Sequence, residues 1–242
     1  MMEQRKETSP RFRARMAGLF YLITMATGIF AQGFVSNRLV VFGNSAVTAT
    51  NILAHRSLFQ WSFTLYLVEM TCQIVFIALF YDLLKPAGRI VSLVAAFLGL
   101  AGCVIKTVSR LFYIAPLFVL GGAHYLSAFN AGQLQALAML FLKVNDRGAA
   151  ISLAFFGLYA LLTGYLVFRS TFLPRFLGVW SILAGLGWLA FFYPPLGYRL
   201  FNYLAVFGFL GAFALILWLL IVGVNVQRWN ERAAAAGVAV HS

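Results

Sequence analysis

Three charged residues interrupt long apolar stretches of the chain, and they are the first candidates for chemistry. Glu69 lies within one apolar stretch, and Lys106 and Arg110 lie within the next. A charge at the centre of a membrane helix costs about 2.5–3.5 kcal/mol on insertion scales. Residues of this kind pair with one another, bind a charged ligand or relay protons. They therefore define the candidate functional site.

The cations that flank these stretches predict the depth of the charged residues. Glu69 is sixteen residues from Lys85. Lys106 is seventeen residues from Arg89. At about 1.5 Å per helical residue, both side chains lie about 25 Å from the flanking cations. The sequence therefore predicts an ion pair between two consecutive antiparallel helices, with Arg110 about one turn further along.

Uncharged polar side chains are predicted near the same depth. The same count of residues brings Gln32 and Ser152 to this level. Helical spacing puts Ser62, Tyr66, Glu69 and Gln73 on one face of their helix. We therefore expect a ligand-binding site formed by Gln32, Tyr66, Glu69, Gln73, Lys106 and Arg110.

Two interpretations of the charges stay open at this point. In the first, the ion pair fastens two helices and Arg110 extends its long side chain to the membrane interface. In the second, the charges form a pocket that recognises an anionic headgroup or relays protons. If Pro116 ends its helix early, Arg110 lies in the interface and is not a buried charge.

Patterns typical of enzymes and of metal or cofactor sites are missing from the sequence. It contains no pair of intramembrane aspartates, no Gly-x-Ser-x-Gly and no His-Glu-x-x-His pattern. Facing histidines at membrane depth, as haem requires, are also missing. A metal site formed by His55, His124 and Asp146 is the alternative. Cys72 and Cys103 are expected to be reduced packing residues. We expect no catalytic residue, bound metal or cofactor.

The composition indicates that the candidate site lies within a lipid bilayer. Hydrophobic residues make up 62% of the chain and charged residues 10%, whereas soluble domains carry about 25% charged residues. The net charge of +12 comes from cations at the ends of apolar stretches, which is typical of membrane topology. We therefore expect membrane lipid as a partner, with a small-molecule or lipidic ligand, and no nucleic acid.

The helices are predicted from apolar stretches. Each stretch is near or above the length of about 20 residues that is needed to cross a bilayer. The sequence predicts an all-α polytopic membrane protein, a bundle of about six transmembrane helices with two short outer interfacial helices. The predicted spans are residues 15–35, 58–84, 90–119, 149–168, 176–193 and 200–226. Asn44 is predicted to cap the first interfacial helix, and Asn130 with Gln133 to cap the second, before residues 134–142. Glycines at the positions 157, 164, 178, 185, 187, 208 and 211 are expected to permit close helix packing.

Three regions and an orientation follow from this pattern. Residues 1–13 are predicted to be a disordered cytoplasmic N-terminus, 14–227 the six-helix transmembrane domain, and 228–242 a cytoplasmic tail. With the N-terminus inside, the inner segments hold eleven cations and the outer segments five. Because cytoplasmic loops carry an excess of Lys and Arg, we expect both termini in the cytoplasm.

Several short segments together carry a family resemblance. They are ARMAGLFYL (14–22) with GIFA (28–31), NILA (51–54) with SLF (57–59), YLSAF (125–129) with QLQALA (133–138), and GYLVFRS (164–170) with LPRFLG (173–178) and AGLG (184–187). Over roughly residues 14–225 the chain resembles the DUF4386-type proteins, a bacterial membrane-protein family of unknown function. The resemblance implies a multi-pass protein of the bacterial inner (plasma) membrane, and it brings no substrate, cofactor or catalytic residue. It also implies that the position of Gln32 is often acidic, so that any charge-dependent role there is altered in this chain.

Three hypotheses for the function follow. The first is a membrane protein without enzymatic activity that binds or moves a small or lipidic ligand at the polar site. The second is a structural or accessory membrane subunit whose charges only fasten helices. The third is an intramembrane enzyme, for which the sequence offers neither a nucleophile–base pair nor a metal-binding pattern.

Overall fold

The structure, a computed structural model, describes residues 9–237, and within this range the chain is helical and contains no strand. The α-helices are α1 (Pro10–Ile29), α2 (Asn37–Leu39), α3 (Ser45–Ala54), α4 (Arg56–Leu84), α5 (Arg89–Val119), α6 (Ala131–Arg169), α7 (Arg175–Trp188), α8 (Pro194–Ile221) and α9 (Val226–Ala235). A π-helix, Phe30–Ser36, joins α1 to α2, and short 3-10 turns cover Lys85–Ala87, His124–Leu126 and Leu189–Phe192.

Six helical segments in the described part of the chain are long and apolar enough to cross a membrane. They are Pro10–Leu39, Arg56–Ala87, Arg89–Val119, Ala131–Arg169, Arg175–Phe192 and Pro194–Ile221. Backbone polar groups in hydrocarbon must be satisfied within their own segment, which a continuous helix achieves. The prediction of an all-α polytopic protein with six spans is therefore confirmed.

Two helices, α3 and α6, begin with the polar caps that the sequence predicts. The side-chain oxygen of Asn44 accepts a hydrogen bond from the backbone N–H of Val47, 3.0 Å away, at the start of α3. Asn130 and Gln133 bond reciprocally, each side-chain oxygen accepting from the other's backbone N–H at 2.9 Å. Both arrangements satisfy N–H groups that have no partner within the helix.

The second interfacial helix does not exist as a separate element, and that prediction is wrong. The chain from Ala131 to Arg169 is one helix of 39 residues. Residues 143–148 were interpreted as a polar break, but they contain no proline, and a polar segment without a proline can continue a helix. Pro116 likewise does not end its helix, because α5 continues to Val119.

The ends of the chain also differ from the prediction. Residues 10–13, predicted to be disordered, are helical, because Pro10 suits the first position of a helix and Ser9 accepts a hydrogen bond from the N–H of Phe12. The last span covers Pro194–Ile221, and not 200–226. Gly223, with φ of +73°, turns the chain between α8 and α9. The remainder of the predicted termini, residues 1–8 and 238–242, lies outside the described residues.

The described residues form two compact units. The first unit comprises 9–22, 73–102 and 153–237, and the second comprises Ile23–Cys72 and Cys103–Ser152. The second unit has a buried core that includes Ile52, Phe59, Tyr113 and Leu142. Tyr66, one of the predicted site residues, belongs to this core.

In the first unit, α9 is docked and is not a free tail. Its Trp229 is 3% exposed, and the indole N–H donates to the carbonyl of Leu83 at 2.9 Å. The guanidinium of Arg13 lies 5.3 Å from the centroid of the Trp229 ring. Arg13 and Lys85 both form an ion pair with Asp82. An indole, a cation and a carboxylate thus hold this helix to the ends of α1 and α4.

Glycines bring α6 and α7 into backbone contact, as predicted. A Cβ on Gly178 would lie 2.5 Å from the backbone nitrogen of Phe168. A Cβ on Gly164 would lie 2.8 Å from the carbonyl oxygen of Gly178. Small residues permit this approach, which gives dispersion contacts in a lipid environment where the hydrophobic effect contributes little.

Gly178→Ala should destabilise the protein because the new methyl group meets backbone that cannot rotate away. We expect a loss of about 1–3 kcal/mol, as for other overpacked positions, seen as a lower midpoint of thermal unfolding in detergent. Gly132→Ala is the matched control, since its Cβ would meet Asn130 Oδ1 at an ordinary 3.4 Å. Equal midpoints for the two variants would contradict the close contact.

Candidate functional site

The second unit contains the predicted ion pair. Nζ of Lys106 on α5 donates to Oε1 of Glu69 on α4 at 2.6 Å. The side chain of Glu69 is 7% exposed and that of Lys106 is 17% exposed. The predicted ion pair between these two consecutive helices is confirmed.

Gly28 on α1 makes space for the carboxylate. A Cβ on Gly28 would lie 2.7 Å from Oε1 of Glu69. On the same face of α1, the hydroxyl of Thr24 lies 3.4 Å from the backbone carbonyl of Glu69, which accepts its hydrogen bond. Oε2 of Glu69 is buried without a hydrogen-bond partner among the described residues. The pair is therefore tightly enclosed, with one oxygen left over.

Arg110 is buried and does not extend to the interface, so that interpretation of this residue is wrong. The residue is 2% exposed. Its Nη1 donates to Oδ1 of Asn145 on α6 at 3.0 Å, and its Cζ lies 3.6 Å from the centroid of the Tyr66 ring. Its Nε is buried without a partner in the described part of the chain. A neutral amide and an aromatic face therefore surround a full positive charge.

Aromatic rings form a platform beneath this guanidinium. Tyr66 packs edge-on against Tyr113 with centroids 5.1 Å apart, and Tyr113 stacks on Phe59 at 4.4 Å. The hydroxyl of Tyr113 donates to Ser62 at 3.2 Å. The negative face of an aromatic ring attracts a cation, and this attraction grows when water is excluded. The platform thus fixes the position of Arg110 and reduces the cost of its burial.

The π-helix directs Gln32 to the platform. Oε1 of Gln32 accepts a hydrogen bond of 2.8 Å from the hydroxyl of Tyr66, and its Nε2 donates to Asn37 at 3.1 Å. Gln32 and the buried Ser36 both lie within Phe30–Ser36. The wider turn of a π-helix changes the direction of the side chains in it, and such segments occur frequently at functional sites.

A small pocket lies beside Arg110 within the second unit. The free space here reaches about 300 Å³ only when the open space outside the lining residues is counted, so the enclosed part is much smaller. The pocket is lined by polar groups and by apolar side chains, namely Gln32, Ser36, Val40, Phe42, Arg110, Leu142, Asn145, Asp146 and Ala149. Pockets with a few convergent polar groups in an apolar wall are the usual form of a ligand site.

Asn145 and Asp146 reach this pocket from residues 143–148 of α6, which were predicted to connect two separate helices. The helices α5 and α6 approach closely at Gly148, where a Cβ would lie only 2.6 Å from Cβ of Ser109. Asn145 is buried. In the sequence, the signal for this contact is an asparagine between two apolar stretches, followed three residues later by a glycine.

The six predicted site residues therefore separate into groups. Glu69 and Lys106 bond each other, whereas Arg110, Tyr66 and Gln32 form a connected group one helical turn along α4 and α5. Gln73 is buried, and it belongs to the first unit. Ser152 in the second unit is buried, and its hydroxyl donates to the carbonyl of Ala149 at 2.6 Å.

Metal-binding side chains do not converge in the described residues. Within 9–237 no group of three or more His, Cys, Asp or Glu residues has an arrangement that could hold a metal ion. The alternative metal site at His55, His124 and Asp146 is therefore not formed. The ring of His55 lies instead 3.1 Å from the carbonyl of Asn51 in its own helix.

Six apolar spans, with a buried cation beside a pocket, define a multi-pass membrane protein with a polar internal site. The family model described as a domain of unknown function, DUF4386, matches residues 16–223, so the chain belongs to this family. No curated protein and no solved structure matches the chain. The family resemblance seen in the sequence is thereby confirmed.

The ion pair should show strong coupling between its two members. Glu69→Leu or Lys106→Met alone leaves a buried charge without its partner and should cost about 3 kcal/mol, the low end for buried pairs because Lys106 is partly exposed. The double variant should recover most of the loss. Chemical denaturation in detergent measures all four proteins, with Lys143→Met, an exposed cation on α6, as the control. Additive losses would show that the two side chains do not depend on each other.

Proposed function

We propose that this membrane protein binds or moves a small or lipidic ligand at the pocket beside Arg110. The observation that supports this is a guanidinium that lines a pocket, is 2% exposed and has an Nε without a hydrogen-bond partner among residues 9–237. Intramembrane ionisable residues commonly mark ligand or ion pathways. A group that leaves hydrogen-bond donors unused inside an apolar protein is best explained by an acceptor that arrives with a ligand.

Arg110 carries this proposal better than Glu69 and Lys106 do. The latter two neutralise each other through a direct bond of 2.6 Å. Arg110 forms no ion pair with any residue in 9–237, and its hydrogen-bond partner Asn145 is neutral. The carboxylate of Asp146 lines the same pocket without forming an ion pair with Arg110, and burying a charge that has no directly bonded counter-charge costs several kcal/mol. A ligand contact at this residue is a reason to keep it.

A structural or accessory role is the second candidate function. It is supported by the ion pair, which fastens α4 to α5 without needing any ligand. This candidate requires only that the charges hold helices together. It differs from the first candidate in giving Arg110 no molecule to bind.

The proposed location is the inner membrane of a bacterium, with both termini in the cytoplasm. The excess of cations in the turns at 85–89 and 169–175 and near both ends of the chain supports this orientation. In the same orientation the segments at 40–55 and 120–130 face the outside. The pocket at Arg110 then belongs to the outer half of the bilayer.

A ligand retained from native membranes should depend on Arg110. We expect a molecule to copurify with the wild-type protein in polymer-extracted native nanodiscs, and its occupancy to fall at least about tenfold, or about 1.4 kcal/mol, in Arg110→Gln. Mass spectrometry of the extracted small molecules and lipids provides the measurement.

Two further variants control this experiment. Lys143→Gln removes an exposed cation from α6 and should keep the ligand. Ala149→Leu adds side-chain volume to the pocket lining while retaining Arg110 and should lose the ligand. The same molecules at the same occupancy in all four proteins would favour the structural role.

Site-directed labelling should report the orientation. Ser127→Cys and Thr171→Cys change exposed residues in two different connections, whereas the native Cys72 and Cys103 are buried. A membrane-impermeant maleimide should label residue 127 in intact cells and residue 171 only after permeabilisation. The reverse pattern would invert the proposed topology.

A further inference from the structure

The guanidinium of Arg110 presents one unused edge. Arginine has five N–H donors in one plane, and Nε and Nη2 donate in parallel along the edge opposite Nη1. Nη1 is the nitrogen that Asn145 binds, and among residues 9–237 Asn145 is the hydrogen-bond acceptor that Arg110 contacts. Nε has no partner. The edge formed by Nε and Nη2 therefore matches a group with two oxygens side by side.

The orientation of this edge is set before any ligand arrives. Tyr66 covers one face of the guanidinium at 3.6 Å, and Asn145 holds its Nη1 end at 3.0 Å. A planar fork that is already fixed loses little conformational entropy when it binds a planar pair of oxygens. The arrangement favours an oxyanion over a neutral hydroxyl, since only the oxyanion also neutralises the buried charge.

The charges on the pocket lining limit the charge of that oxyanion. Arg110 and Asp146 are the two ionisable residues among the lining residues. Arg110 attracts an anion and the carboxylate of Asp146 repels it, so each further negative charge on a ligand adds repulsion. One singly charged oxyanion is enough to use both donors of the unused edge of Arg110. A carboxylate or a phosphodiester therefore meets less repulsion than a doubly charged phosphate monoester.

Apolar side chains at the same pocket indicate what the oxyanion is attached to. Val40, Phe42 and Leu142 line it together with the polar groups. Phe42 is 55% exposed, which is a large apolar surface beside a buried cation. The pocket is open to its surroundings, so an oxyanion that contacts Arg110 can keep its attached hydrocarbon chain outside, along the exposed ring of Phe42.

We propose that the pocket binds the headgroup of an amphiphile with a single negative charge, through two parallel hydrogen bonds to Nε and Nη2 of Arg110. This inference rests on the proposed function and adds the chemical class of the ligand. The shared chemistry is a monoanionic group with two exposed oxygens, which either a fatty acid or a diester phospholipid supplies.

Binding of defined amphiphiles tests the proposal. The wild-type protein is reconstituted in phosphatidylcholine nanodiscs and titrated with dodecanoate, with dodecanol and dodecyltrimethylammonium as neutral and cationic controls of equal chain length. We expect saturable binding of dodecanoate and at least about tenfold weaker binding of both controls.

Nanodiscs that contain phosphatidylglycerol distinguish the two sources of the oxyanion. A decrease in dodecanoate affinity there identifies the lipid headgroup as a source, and an unchanged affinity identifies the free fatty acid. Acetate, added as a competitor, shows whether the oxyanion alone is enough: displacement of dodecanoate only by the chain-bearing anions supports an amphiphile, and equal affinity for acetate overturns it.

Two variants separate loss of binding from loss of folding. Arg110→Lys keeps the charge but offers no planar fork, so dodecanoate affinity should fall at least about tenfold. Asn145→Asp supplies Arg110 with a carboxylate of nearly the same shape; it should raise the midpoint of thermal unfolding and still abolish dodecanoate binding. Lys143→Gln should bind like the wild type.

Several results overturn the proposal. They are absence of dodecanoate and phosphatidylglycerol binding, equal affinity for dodecanol, tighter binding of a doubly charged phosphate monoester lipid, or unchanged affinity in Asn145→Asp. Its failure is distinguishable from failure of the proposed function. A neutral or cationic molecule that copurifies in an Arg110-dependent manner leaves the proposed function standing and removes this inference, whereas the loss of any Arg110-dependent molecule removes both.

Discussion

The burial of one positive charge governs the architecture of the second unit. Removing a guanidinium from water costs several kcal/mol, which the protein must offset with nearby groups. The ring of Tyr66 at 3.6 Å and the amide of Asn145 at 3.0 Å supply part of this. The stacked rings of Tyr113 and Phe59 keep the platform in place. Close approach of α5 and α6 at Gly148 then brings the amide within reach.

The two charge systems in this unit solve the same problem differently. Glu69 and Lys106 offset each other's charge, and Oε2 of Glu69 is left without a hydrogen-bond partner among residues 9–237. Arg110 is stabilised by dipoles and a ring quadrupole, which are weaker than a full counter-charge. An ion pair such as Glu69–Lys106, one helical turn away, is enough to hold two helices together. The pair has a full counter-charge within the protein, whereas Arg110 has neutral groups as its direct contacts.

The sequence allowed the six spans and the ion pair to be predicted because both depend on quantities that a sequence carries. Hydropathy reports burial in lipid, and residue counts from Lys85 and Arg89 report depth along a regular helix. The rotation of a helix about its axis is not carried in this way. The partner of Arg110 was therefore missed, because Asn145 lies in a polar stretch that resembles a loop but continues α6. Likewise, a count of residues placed Ser152 at this depth but did not show that its hydroxyl donates to the carbonyl of Ala149 in its own helix.

The π-helix at Phe30–Ser36 also has an evolutionary meaning. Each residue of an α-helix turns the chain by about 100°, so one inserted residue would rotate everything after it to another face. A π-helix absorbs an insertion locally, and the helical path continues on either side. The first span therefore contains a position where a lineage can gain or lose one residue without rebuilding the core. Such a change would alter the polar group at position 32 of the pocket lining and leave the helices on either side in place.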